Sequence, residues 1–209
     1  MINVFIVDDH SLIREGFRKI IEQQPDMEVA GEAGSAKEFF NIFGTRKCDL
    51  VVLDITLPDK SGLDVLKDIK QRAPETPVLI LSMYPEERYA IRTFKAGASG
   101  YLSKDKAVDK LIKAIRKIVN GGKYISEEFG EKLAFDIGHG ETILHKNLSD
   151  REYQILVMIG AGKSVHEIAE KLSLSINTVN TYRSRVLEKM NLKSNAEIIR
   201  YVLQNNLVD

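Results

Sequence analysis

Over the first 121 residues, short aliphatic and β-branched runs alternate with amphipathic stretches. The runs are Val4-Phe5-Ile6-Val7, Val29-Ala30, Leu50-Val51-Val52-Leu53, Val78-Leu79-Ile80-Leu81 and Gly100-Tyr101-Leu102. Their hydrophobicity is nearly continuous rather than alternating, as suits strands covered on both faces. Helical periodicity falls between and after them, near 11–23, 36–46, 63–72, 87–96 and 107–120. Five such βα repeats predict an α/β domain over residues 1–121, built on a doubly wound, five-stranded parallel sheet with right-handed crossovers.

The pattern then changes. Gly121-Gly122 ends the last amphipathic stretch, a short helical pattern spans Glu127–Phe135, and Gly138-His139-Gly140 breaks it, so residues 122–147 read as a linker. Residues 148–209 contain no strand-like run. Three capping-box signatures, beginning at Ser149, Ser164 and Ser194, each precede an apolar helical pattern, and Ser175 marks a fourth start without the partner Glu. Four short helices predict a compact all-α C-terminal domain. In the stretch Lys163–Val179 two of them are joined by a tight turn. Ile168, Ala169 and Leu172 turn inward on the first; Ile176, Val179, Val186, Leu187 and Met190 form the inward stripe of the second.

Composition narrows the function classes. The 209 residues carry 30 Lys+Arg and 30 Asp+Glu, giving no net charge, and 44% are hydrophobic, enough for a core in each domain. No apolar run reaches the length of a membrane span. The opening residues lack the basic leader and small-residue cleavage site of a signal peptide. The single cysteine, Cys48, excludes an intrachain disulfide framework and a CxxC metal site, and a reducing, cytoplasmic setting is the default expectation. Neutrality overall leaves nucleic-acid binding open, because it depends on where the charges lie.

In an open α/β sheet, ligands bind beyond the carboxyl ends of the strands. Asp8 and Asp9 follow the first strand, Asp54 ends the third, Ser82 ends the fourth and Lys104 follows the fifth. Three converging carboxylates call for a hard cation, and Mg²⁺ favours a few carboxylates plus water. Lys104 adds a compact positive charge suited to a phosphoryl oxygen. Each Asp taken singly reads most simply as an N-cap; the set does not. These residues, together with Val51-Val52-Leu53-Asp54-Ile55 and Leu57-Pro58-Asp59-Lys60-Ser61-Gly62, closely resemble the receiver domain of two-component response regulators across residues 1–121. The resemblance implies a flavodoxin-like strand order, with Asp54 as phosphoryl acceptor. It implies Mg²⁺ held by Asp8, Asp9, Asp54 and the Thr56 carbonyl, and Ser82 and Tyr101 as a switch pair beside Lys104. One departure is Lys104-Asp105, where many receivers have Lys-Pro; Asp105 is expected to cap the last receiver helix. His10 reads as a helix start rather than a ligand, and Cys48 as packing rather than a nucleophile.

On the second helix of the helix-turn-helix, the face away from the apolar stripe is polar, with Asn177, Asn180, Thr181, Ser184, Arg185 and Glu188. Residues 176–193 hold four basic side chains and one acidic. Such a helix suits the major groove, with short polar side chains at base edges and basic ones at phosphates. A solvated amphipathic helix would share the polarity but not the turn and the local positive charge. The pattern from Leu148-Ser149-Asp150-Arg151-Glu152 through Thr178-Val179-Asn180-Thr181-Tyr182-Arg183-Ser184 to Lys189-Met190 resembles the LuxR-type helix-turn-helix, and the whole chain resembles a NarL/FixJ-type response regulator. That resemblance implies base reading by Asn180, Thr181 and Ser184, and backbone contacts from Thr178, Arg183, Arg185 and Lys189. It implies a sensor histidine kinase as phosphoryl donor, DNA as target, and a homodimer when phosphorylated, with the last helix as one dimer surface. Two other readings are a regulator whose constitutively dimeric receiver binds DNA without phosphate, and an aspartyl-nucleophile phosphatase. The second lacks a carboxylate two residues after Asp54, where Thr56 stands.

Overall fold

The computed structural model describes residues 1–131, 145, 148–205 and 207–208, apart from the side chains of residues 87, 88 and 108. The chain divides into two compact units, residues 1–135 and 136–209.

The first unit alternates strand and helix. Strands β1 (Ile2–Val7), β2 (Met27–Ala33), β3 (Leu50–Asp54), β4 (Val78–Ser82) and β5 (Gly100–Ser103) pair in parallel, in the order β2-β1-β3-β4-β5. This is the expected doubly wound, flavodoxin-like order, with the topological switch between β1 and β3. The connecting helices are α1 (Ser11–Glu22), α2 (Ala36–Ile42), α3 (Gly62–Arg72), α4 (Glu86–Lys95) and α5 (Lys104–Val119). Burial explains the uninterrupted hydrophobicity of the strands. On one face Val4, Ile6, Leu50, Val52, Leu79 and Leu81 pack with Phe17 and Ile21 of α1 and Leu111, Ala114 and Ile115 of α5. On the other face Phe5 meets the ring of Phe39 in α2 edge-on, centroids 5.2 Å apart.

Two expectations change here. The last receiver helix begins at Lys104, with Ser103 as N-cap, so Asp105 lies inside the first turn instead of capping it. There its charge still favours the positive end of the helix dipole. Residues 122–131, read from the sequence as linker, lie against the β5 edge: Tyr124 forms an isolated parallel bridge with Gly100, and residues 127–131 are helical. The rest of the expected Glu127–Phe135 helix, with His139, lies outside the described residues.

The second unit comprises α6 (Asp150–Gly160), α7 (Val165–Leu172), α8 (Ile176–Lys189) and α9 (Asn195–Gln204). Its core gathers Tyr153, Leu156, Ile159, Ile168, Val179, Val186, Met190, Ile198 and Val202. Ser149 and Ser164 each form the complete capping box expected of them, and Ser175 accepts from the Thr178 amide. Ser194 caps α9, but Glu197 turns its carboxylate to the Lys193 amide, so the third box is only half formed. Ile176, expected in the core stripe, is 47% exposed at the first residue of α8, and the buried stripe begins at Val179.

Candidate phosphoacceptor pocket and nucleic-acid interface

At the carboxyl edge of the sheet, β1 delivers Asp8 and β3 delivers Asp54 into the protein, both nearly fully buried. Lys104, the first residue of α5, reaches back between them. Its Nζ stands 2.7 Å from Asp54 Oδ2 and 2.6 Å from Asp8 Oδ2. Burial would lower the lysine's pKa, but the bonds to Asp54 and Asp8 outweigh it and hold it above its ordinary value. Burial drives the Asp54 pKa upward against the pull of Lys104, and the charge on Asp8 adds to that rise. Asp54 is thus fixed at both oxygens, since Oδ1 accepts from the Thr56 amide at 3.1 Å.

Asp8, Asp9, His10 and Asp54 bring one ligand atom each within 4.8 Å of one another. The set is mostly hard oxygen, two of its residues buried and two exposed, which suits a divalent cation of the Mg²⁺ kind. His10 belongs to this cluster, with Nδ1 2.8 Å from Asp9 Oδ1 and 3.2 Å from Asp8 Oδ1. The sequence signalled it only by its place directly after Asp9. Thr56 is exposed and stands in the β3–α3 loop, which closes through an antiparallel bridge to Ser61. Gly62 begins α3 so close to β3 that a Cβ would overlap the Asp54 carbonyl oxygen. At the tip of this loop Asp59 accepts from the Ala36 and Lys37 amides at 2.9 and 2.8 Å and bolts the loop to the N-terminus of α2.

Ser82 and Tyr101 are both fully buried, and they meet through a residue the sequence reading passed over. Ser82 Oγ accepts from the Tyr84 amide at 3.0 Å, and the Tyr101 hydroxyl donates to the Tyr84 carbonyl at 2.8 Å. The pair therefore clamps both sides of one peptide residue in the β4–α4 loop. No cis peptide bond occurs among the described residues, Lys104–Asp105 included.

In the second unit, Asn180, Thr181, Ser184 and Arg185 are exposed on α8, with Asn177 beside them. The Thr181 hydroxyl donates to the Asn177 carbonyl at 2.9 Å, and Arg185 lies 5.8 Å from the Tyr182 ring centroid. The other three expected contacts have partners inside the unit. Thr178 Oγ1 is 2.7 Å from Ser175 Oγ, Arg183 Nε donates to Asn195 Oδ1 at 2.6 Å, and Lys189 Nζ donates to the buried Glu152 Oε2 at 2.7 Å.

The comparisons with known proteins agree with both halves. Residues 4–116 match the response regulator receiver domain, and residues 146–202 match the bacterial regulatory proteins of the luxR family. The response regulator UvrY of Escherichia coli K12 is 34% identical over 99% of this chain and 96% of its own length. The chain is a LuxR-family response regulator. The oxygen regulatory protein NreC of Staphylococcus carnosus is 35% identical, covering 99% of each chain. Among solved structures, RcsB from Salmonella enterica serovar Typhimurium, bound to promoter rprA in the presence of phosphomimetic BeF3−, superposes with a TM-score of 0.71 at 25% identity, covering 97% of this chain and 99% of that one. This LuxR-family regulator thus joins a receiver with an acidic pocket of metal-binding character to a DNA-binding helix-turn-helix domain of transcriptional response regulators.

Proposed function

We propose that this regulator is switched by Mg²⁺-dependent phosphorylation of Asp54, and that phosphorylation sets its affinity for DNA. The observation that carries the reading is the buried Asp54, held at Oδ1 by the Thr56 amide and at Oδ2 by Lys104, beside Asp8 and Asp9. Asp8, Asp9, Asp54 and the Thr56 carbonyl would hold the ion, which supplies charge neutralisation on the transferring group. An Asp54 oxygen attacks the phosphorus of a phosphohistidine on a sensor kinase. A P–O bond forms, the P–N bond breaks and the imidazole leaves. Lys104 is placed to shift its ammonium from Asp54 to a phosphoryl oxygen, and the Ser82 hydroxyl to donate to another.

The acceptor is consumed once per event, so the chain acts as a regulator rather than as a turnover enzyme, and its site of action is the cytoplasm. RcsB binds a promoter in the presence of a phosphomimetic; by analogy this chain binds DNA as a dimer when phosphorylated. Asn180, Thr181 and Ser184 read base edges, Thr178 and Arg185 contact the phosphate backbone directly, and Arg183 and Lys189 serve the backbone contacts by fixing α8 in place.

The test is DNA binding and mass in solution, with and without beryllofluoride plus Mg²⁺, on the native chain and on Asp54→Ala. DNA from upstream of the protein's own reading frame serves as the target. The expected gain is about tenfold or more in affinity, within the usual range of allosteric coupling, and only when Asp54 is present. Equal binding by both proteins in both conditions would instead favour the constitutive dimer.

A further inference from the structure

The chain that leaves the receiver turns back onto it at once. Tyr124 adds one residue of parallel strand to the β5 edge, its amide donating to the Ser99 carbonyl and its carbonyl accepting from the Tyr101 amide, both at 3.0 Å. Two residues later, Ser126 meets Glu86. The Glu86 carboxylate accepts from the Ser126 hydroxyl at 2.6 Å and from the Ser126 amide at 3.2 Å. Both residues are buried, Glu86 at 7% and Ser126 at 9% exposure. A carboxylate is tolerated there only while its oxygens are hydrogen-bonded. Ser126 Oγ also accepts from the Phe129 amide at 3.2 Å, so the same side chain that engages Glu86 caps the helical residues 127–131.

The position of Glu86 gives this contact its meaning. It is the first residue of α4, and Met83, Tyr84 and Pro85 separate it from Ser82. The Tyr84 backbone is held on one side by Ser82 and on the other by Tyr101, and the next residue after Ser99, Gly100 and Tyr101 to be bonded in line is Tyr124 of the returning segment. If Ser82 turns its hydroxyl to a phosphoryl oxygen, Tyr84 loses that acceptor and the loop that positions Glu86 is released. A cavity of about 240 Å³ beside the loop, lined by Met83, Pro85, Glu86, Ser103, Ser126 and Phe129, leaves room for that shift.

We propose that Glu86 and Ser126 form a latch that holds residues 123–131, the last described stretch of the first unit after α5, on the unphosphorylated receiver, and that phosphorylation of Asp54 opens it. The occupant of this receiver face is thus the protein's own segment. The inference rests on Asp54 being the phosphoacceptor.

Amide hydrogen exchange on the full chain tests it, with and without beryllofluoride plus Mg²⁺, for the native protein, Ser126→Ala and Glu86→Ala. The native protein should show altered exchange over 54–58 and 82–86 with the mimic, and exchange over 124–131 faster by about tenfold or more, the scale of one lost charge-assisted hydrogen bond. Each variant should show that fast exchange over 124–131 without the mimic, while the strands at 4–7 and 50–54 stay protected. If the mimic alters 54–58 and 82–86 but leaves 124–131 unchanged, the latch is wrong and the phosphoacceptor reading stands. If no segment responds, both readings fall. If either variant exchanges like the native protein over 124–131, the latch is overturned.

Discussion

What a buried group faces, more than its residue type, decides whether it has chemistry. Asp54 and Cys48 lie six residues apart at opposite ends of β3. Asp54 is aimed at the open carboxyl edge and has a cation against it; Cys48, just before the strand, has neither. Burial pushes the Cys48 thiol up to about 11, with the neighbouring Asp49 charge adding to the rise and a weak bond to the Leu50 carbonyl opposing it. The thiolate is the reactive form, so at pH 8 the native chain should react with a thiol reagent at least about a hundredfold more slowly than the urea-unfolded chain, whose thiol titrates near 8.5. Equal rates of absorbance change with a disulfide reagent in the two states would show that the thiol is not shielded. The same scale explains Ser82 and Tyr101. Both were legible as residue types at strand positions, but their common partner is the backbone of Tyr84, which no side-chain pattern marks.

Among the elements, the second unit depends on a long-range pair as much as on its caps. Glu152 completes the Ser149 capping box and, though nearly fully buried, also receives Lys189 from the far end of α8. Burial would raise its pKa; Lys189 and the Ser149 amide and hydroxyl overcome that and lower it below the ordinary glutamate value. A carboxylate depressed in the folded state contributes stability that is present above its unfolded pKa of about 4.3 and is lost as pH falls through the lower folded value. The melting temperature of the helical unit should therefore fall between about pH 5 and pH 3, and Glu152→Gln should flatten that fall while lowering the plateau at pH 7. An unchanged acid slope in the variant, followed by circular dichroism, would remove Glu152 from the account. What the sequence made legible follows the same division. Strands buried on both faces and helices opened by Ser-x-x-Glu announce themselves locally, so β1, β3 and β4 and the starts of α6 and α7 stood out. The Glu152–Lys189 pair joins positions 37 residues apart and leaves no periodic trace. Residues 122–131 read as linker because their attachment rests on a tyrosine bridge and one buried serine set in a polar stretch. Helical spacing puts Ile176 inside, but it does not register where along a helix burial begins, here at Val179.

For the whole molecule, a net charge of zero means that DNA affinity must come from local charge, and the structure limits how much of it is free. Residues 176–193 carry four basic side chains, but Lys189 is drawn to Glu152 and Arg183 is held by Asn195. Arg185, exposed and resting near the Tyr182 ring, is the α8 cation best placed to release a counterion from DNA. Each neutralised phosphate contributes about −0.9 to the slope of log K against log salt. Arg185→Ala should therefore reduce the magnitude of that slope by about 0.9 per protomer, or ~1.8 for a dimer on two half-sites, with little change in thermal stability. Lys189→Met should do the reverse: it leaves Glu152 without its cation and lowers stability by about 1–2 kcal/mol, less than a fully buried pair would because Lys189 is partly exposed, while the slope stays near the native value. Asn180→Ala should weaken binding to the target by about 1–3 kcal/mol and leave the slope unchanged, since a base-edge contact releases no counterion. Fluorescence anisotropy over a salt series on the beryllofluoride-loaded protein separates the three. A slope that drops as far in Lys189→Met as in Arg185→Ala would mean that Lys189 leaves Glu152 for a phosphate when DNA binds, and that the internal pair is a resting contact only.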